Sequence, residues 1–231
     1  MIGVRGVFMK YLQVALDGPA GAGKSTIAKI VSERLNYTYI DTGAMYRAIT
    51  LKAIERNLDL DDESKFDFIN ETNFEFKNGT LFMDGRDISE RIREHDVSNN
   101  VSKVSSYLLV RKALVKAQQD MAKCTNVVMD GRDIGTVVLK DSPIKFFITA
   151  SIETRAERRH LDNLNRGLKS NIDILIEEIR TRDKYDSSRK HSPLKPADDA
   201  VIIDTSKMTL EEVVALITLR IREVENSWNL K

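Results

Sequence analysis

The chain has 231 residues, 42% of them hydrophobic, enough for one substantial core and too few for two ordinary domains plus linkers. Thirty-six basic against thirty-five acidic side chains leave a net charge of +1, without the basic excess of a dedicated nucleic-acid binder. The single cysteine, Cys124, excludes an intramolecular disulfide and a multi-cysteine metal site and suits a reducing cytoplasm, and no apolar run approaches the roughly 20 residues of a membrane span.

Met1–Phe8 lacks the long apolar region and small-residue cleavage site of a signal peptide, and reads as an appendage ahead of a single domain over 9–231. Tyr11–Asp17 is apolar and β-prone and stops at Gly18-Pro19, the mark of a buried strand meeting a tight turn. Ile27, Ala28, Val31 and Leu35 then recur at helical period over Ser25–Leu35. Tyr37–Asp41 reads as a second strand and Ala44–Asn57 as a second helix, so the first third alternates as a parallel α/β sheet does. The rhythm breaks over about 62–98. There Phe74–Phe76 and Thr80–Met83 flank Lys77-Asn78-Gly79, a hairpin signal, and Asp84-Gly85 supplies another turn. A helix over Ser106–Ala122 and strands at Asn126–Asp130, Ile144–Thr149 and Ala200–Asp204 restore parallel order, and a last helix covers Leu210–Val224. Between the last two strands runs an arginine-rich stretch, expected to form a lid over about 155–190.

Gly18-Pro19-Ala20-Gly21-Ala22-Gly23-Lys24-Ser25, followed by Thr26, matches G-x-x-x-x-G-K-[ST] at every fixed position. Its glycines let successive N–H groups turn toward phosphate oxygens, and the following helix offers its N-terminus to the same anion. Lys24 is expected to reach the β- and γ-phosphates and the Ser25 hydroxyl to ligate Mg²⁺. A glycine-rich turn with an accidental lysine would not need a buried strand before it and an amphipathic helix after it; this one has both. The fold class expected is therefore α/β of the P-loop NTPase type: a five-stranded parallel sheet flanked by helices, with a small antiparallel insertion and a charged lid.

No Asn-Lys-x-Asp element for reading guanine is present, which argues against a regulatory GTPase. A second anion-binding set lies away from the loop. Asp41, Thr42, Tyr46 and Arg47 sit at the carboxyl end of the second strand, where open α/β sheets bind ligands. Asp130 ends a buried strand as a metal-orienting acid does, and Arg132 follows with a fork-shaped phosphate donor. The same four letters at Asp84–Asp87 fall in the hairpin insertion and are read as a turn. Arginines of the charged stretch, among them Arg158, Arg159, Arg180, Arg182 and Arg189, can neutralise phosphoryl charge from a closing lid, although such runs are usually solvated helix faces.

The segments LDGPAGAGKST, IDTGAMYRA, VSKVSSYLLVRKAL, VVMDGRDIGTVV and RTRDKYDSSRKHSPL, with the hairpin insertion, together resemble the bacterial cytidylate kinases from Tyr11 to the last helix. The resemblance implies transfer of the ATP γ-phosphoryl to CMP or dCMP with Mg²⁺, in a monomer. It implies Lys24 and Ser25 on the ATP phosphates and metal, and Arg47, Arg132 and Arg189 on the acceptor phosphate. Ser102, Arg111 and Asp133 would read the cytosine edge, Asp133 accepting from the amino group that uracil lacks. Tyr46 would pack along the base, Arg182 and Asp186 would contact the sugar, and Arg158 and Arg159 would belong to the lid over ATP. Thr42 stands where some relatives have serine. UMP as acceptor, and a nucleotide-binding switch without acceptor chemistry, stay open as alternatives.

Overall fold

The computed structural model describes residues 11–77 and 79–229; the appendage at 1–8 and Asn78 of the expected hairpin lie outside them. Strand β1 (Gln13–Asp17) runs up the centre of a sheet and feeds the glycine-rich loop into helix α1 (Lys24–Leu35). Helix α1 ends where Asn36 turns left-handed, with φ 55°. Strand β2 (Thr38–Asp41) passes directly into α2 (Thr42–Glu55), because the Asp41 carboxylate caps it by accepting from the Ala44 N–H at 2.7 Å.

A 3₁₀ segment, Glu63–Glu71, leads to an antiparallel sheet of β3 (Phe74–Lys77), β4 (Thr80–Met83) and β5 (Arg86–Asp87). Asp84 and Gly85 join the last two with φ 51° and 79°, the two positive values of a tight hairpin turn. Asp84 meets Lys52 at 2.6 Å, so the second Asp-Gly-Arg-Asp is a turn with a structural ion pair. The antiparallel sheet ends at Asp87, and α3 (His95–Val104) then starts on the buried stripe Val97, Val101 and Val104, a helical spacing the sequence reading passed over.

Helix α4 (Leu108–Ala122), strand β6 (Val127–Gly131), a π-helical turn at Ile134–Val138 and strand β7 (Ile144–Thr149) follow. The arginine-rich stretch is two packed helices, α5 (Ile152–Asn165) and α6 (Ile172–Ser187), whose N-caps are Ser151 and Asn171. Strand β8 (Val201–Asp204) and α7 (Leu210–Asn229) complete the chain.

The five strands stand in the order β2-β6-β1-β7-β8, all parallel, with Val14 opposite both Val128 and Ile144. Period-2 alternation divides the core. Ala15 faces a cluster with Met45, Ile49, Phe66, Leu114 and Met129; Val14 and Leu16 face one with Ile27, Val31, Phe146, Ile217 and Ile221. The strand order reverses at β1, so the crevice beyond its carboxyl end is the switch point at which such sheets bind ligands. Among the described residues no helix is long and apolar enough to cross a membrane.

Candidate active site

The glycine-rich loop closes over the end of β7. A Cβ on Gly18, whose φ is 146°, would stand 1.9 Å from the Ile148 carbonyl oxygen, so only glycine fits. Helix α1 starts at Lys24 with no side-chain cap and no acid in its first turn, which leaves its N–H donors for an anion. Lys24 is buried, and its Nζ donates to the Pro19 carbonyl at 2.8 Å. Burial pushes its ammonium below the usual lysine range and neighbouring Arg132 adds to this, against Asp130 and Asp17. Ser25 Oγ donates to one oxygen of Asp130 at 2.7 Å and Tyr39 Oη to the other at 2.9 Å. Burial, and next Asp41, raise the Asp130 carboxyl.

Opposite lies the second set. Asp41 receives Arg47 Nη2 at 3.0 Å, and Thr42 Oγ1 donates to the Asp130 carbonyl at 2.7 Å, tying the start of α2 to β6. Asp186, almost fully buried, accepts from Arg132 Nε at 3.0 Å and from Arg189 Nη2 at 2.5 Å. Arg182 is pushed down to about 10 by its own burial and then by Arg132. The Nε atoms of Arg47, Arg182 and Arg189 are buried without a hydrogen-bond partner. These guanidinium groups repel one another, Arg132, Arg159 and Arg47 all disfavouring the charge on Arg182, a setting that suits an anion.

Arg111 and Asp133 form a fully buried ion pair. Arg111 Nη1 also donates to the Ser105 carbonyl at 3.1 Å, and its guanidinium stands 5.5 Å from the Tyr46 ring centroid. The Tyr46 hydroxyl is buried and unpartnered.

A cavity of about 700 Å³ joins the two sets. It is lined by Ala20–Thr26, Asp41, Thr42, Tyr46, Arg47, Arg111, Asp130, Arg132, Asp133, Arg158, Arg159, Arg182, Asp186 and Arg189. Three of the expected site residues fall outside it. These are Gly18 and Pro19, at the root of the loop, and Ser102; Ser105, three residues on, lines the cavity and accepts from Arg189 Nη2 at 3.0 Å. Arg158 reaches the cavity but spends its donors on Thr205, at 3.0 Å to Oγ1 and 2.8 Å to the carbonyl.

Sequence reading missed Asp17, Tyr39 and Arg155. Asp17 was legible as an acid ending a buried strand; Arg155 was one arginine in a charged run. Asp17 accepts from the Ile134 and Gly135 N–H groups, both at 2.7 Å, and so ties the root of the phosphate loop to the turn bearing Arg132 and Asp133. Burial raises its carboxyl from 3.8 to about 6, the two N–H bonds opposing. A carboxyl raised by folding stabilises the native state fully below its unfolded pKa and loses that contribution as pH rises through the folded value. Relative to Asp17→Asn, the parent chain is expected to lose stability between pH 4 and pH 6, measured by urea unfolding at each pH; a stability difference that does not move over this window refutes the assignment.

A parallel α/β sheet carrying a phosphate loop and a facing arginine set defines a P-loop phosphotransferase. The model of the cytidylate kinase family matches residues 14–223. A cytidylate kinase of Bacillus cereus (strain G9842) is 53% identical over 213 residues, covering 90% of this chain and 95% of its own, and that of Bacillus thuringiensis (strain Al Hakam) is 51% identical over the same span. The chain belongs to the cytidylate kinase family. More remote likenesses run to a gluconokinase of Sinorhizobium meliloti 1021 (14% identity, TM-score 0.48, 96% of this chain and 98% of that one) and a shikimate kinase of Acinetobacter baumannii (16%, 0.44, 97% and 98%).

Proposed function

We propose that the chain transfers the γ-phosphoryl group of ATP to CMP or dCMP, giving CDP or dCDP and ADP. The observation that carries this reading is one cavity with a phosphate loop on one wall and Arg47, Arg132 and Arg189 on the other. ATP lays its phosphates along Ala20–Thr26, with Gly18 and Pro19 shaping the root of the loop, and Lys24 swings from the Pro19 carbonyl to the β- and γ-oxygens. The acceptor phosphate is clamped by Arg47, Arg132 and Arg189, and being already anionic it needs no strong general base. Catalysis then rests on alignment and on charge neutralised in a site from which closure excludes water.

Ser25 Oγ and the Asp130 carboxylate fit Mg²⁺, which keeps several waters and phosphate oxygens and asks for few protein ligands. Among the described residues no group of three or more His, Cys, Asp or Glu could hold an ion unaided, which suits a metal arriving with ATP. When bound it neutralises phosphate charge. Asp133 and Arg111 face the base, with Ser102 or its neighbour Ser105; Tyr46 packs along it, Arg182 and Asp186 meet the sugar, and Arg158 and Arg159 close over ATP. The 62–98 insertion and the 155–190 helices are the parts that close. Both walls come from one chain, so a monomer suffices, and the setting is cytoplasmic pyrimidine nucleotide metabolism.

Steady-state rates with CMP, dCMP, UMP and AMP test the reading. CMP and dCMP are expected to exceed UMP in kcat/KM by on the order of 10²-fold, because uracil leaves the Asp133 carboxylate facing an acceptor. A preference for UMP overturns the base assignment, and no ADP release with any monophosphate overturns the kinase.

A further inference from the structure

Arg155 does not itself line the cavity, yet all of its guanidinium nitrogens are engaged. Its side chain is 4% exposed. Nε donates to the Ala150 carbonyl at 3.0 Å, Nη1 to the Ala20 carbonyl of the phosphate loop at 3.1 Å, and Nη2 pairs with Asp183 of α6 at 2.6 Å. The loop rests directly on it: a Cβ on Gly21 would stand 3.2 Å from the Arg155 Cβ.

We infer that Arg155 is a positioning residue for the donor site, setting the Ala20–Gly21 peptide so that the Gly21 N–H faces the ATP phosphates. The reason is geometric. The peptide is planar and trans, so its C=O and N–H point in opposite directions. Holding the Ala20 oxygen back against α5 therefore turns the Gly21 N–H forward, to the side on which both residues line the cavity. Gly21, with φ 78°, has the backbone freedom to rotate away if that oxygen is released. Asp183, on α6, holds the guanidinium in place from the side away from the loop.

The inference rests on the kinase reading and is tested in the full chain by calorimetric ATP binding without acceptor, beside steady-state kinetics. Arg155→Lys keeps the charge but cannot make all three bonds. It is expected to weaken ATP binding by about tenfold, the scale of one hydrogen bond to a charged group, while KM for CMP at saturating ATP stays within about twofold. Asp183→Asn, which leaves the guanidinium in place, is expected to weaken ATP binding by about threefold. A folded Arg155→Lys variant with parental ATP affinity overturns the inference, as do ATP and CMP affinities falling by the same factor. If that variant does not fold, Asp183→Asn decides, and unchanged ATP affinity there overturns it. A parent chain that binds ATP but phosphorylates no monophosphate refutes the kinase instead, and leaves the loop assignment to the binding data.

Discussion

Lys24→Met is expected to lower kcat/KM for CMP by at least about 10³-fold while leaving the melting temperature unchanged or higher. The two effects have one cause. Lys24 is a buried cation beside Arg132, hydrogen-bonded to a single carbonyl, and the nearby Asp130 and Asp17 only partly offset its desolvation. In the proposed reaction the same charge meets the phosphate oxygens that gain charge as the bond to the γ-phosphoryl breaks. Methionine fills nearly the same volume without the ammonium, so stability is kept and transition-state stabilisation is lost. The pH dependence has a defined sign. The folded pKa lies below the usual 10.5, so the unfolded chain binds more protons in that window. The parent should then gain stability relative to Lys24→Met as pH rises toward 10.5. Thermal melts of both proteins at pH 7 and 9.5 check this; a methionine variant that melts lower and still turns over CMP contradicts it.

Asp133→Ala is expected to lose about 3–5 kcal/mol of stability, a fall of roughly 10 °C in melting temperature, because it leaves the Arg111 guanidinium buried and without its counter-charge. Arg111 would retain the Ser105 carbonyl and the Tyr46 ring, which cannot neutralise it. Replacing both members, as Arg111→Met with Asp133→Leu, should restore most of the stability, since apolar packing of similar volume often equals a buried pair. Activity should not return with it, because the groups that face the base are gone. Urea unfolding separates the two effects from CMP turnover. A double variant as unstable as the single one, or one that still prefers CMP to UMP, refutes the account.

Local chemistry in the sequence determined the donor half. The phosphate loop needs a buried strand, a run of glycines, a lysine and a helix start in unbroken order, and all of these are adjacent in the chain, so spacing alone placed Lys24 and Ser25. The parallel strands were legible for the same reason: each is a short β-prone run that stops at a turn or at the start of a helix. Helix α3 was passed over because its three valines lie between a hairpin and another helix, where the pattern is short.

The acceptor half is different. Arg47, Arg111, Arg132, Asp186 and Arg189 come from four separate segments and meet only when β6 inserts beside β1 and α6 folds back across the crevice. Nothing local distinguishes Arg155, which backs the phosphate loop, from exposed Arg180, paired with Glu177 one helical turn away. Both stand in the same charged run, and burial alone separates a bracing guanidinium from a solvated one. The sequence by itself determined where the phosphate loop stands and that a strand and a helix flank it. Tertiary structure decided which charges leave water to face it, because desolvation depends on what packs around a side chain and not on its neighbours in the chain.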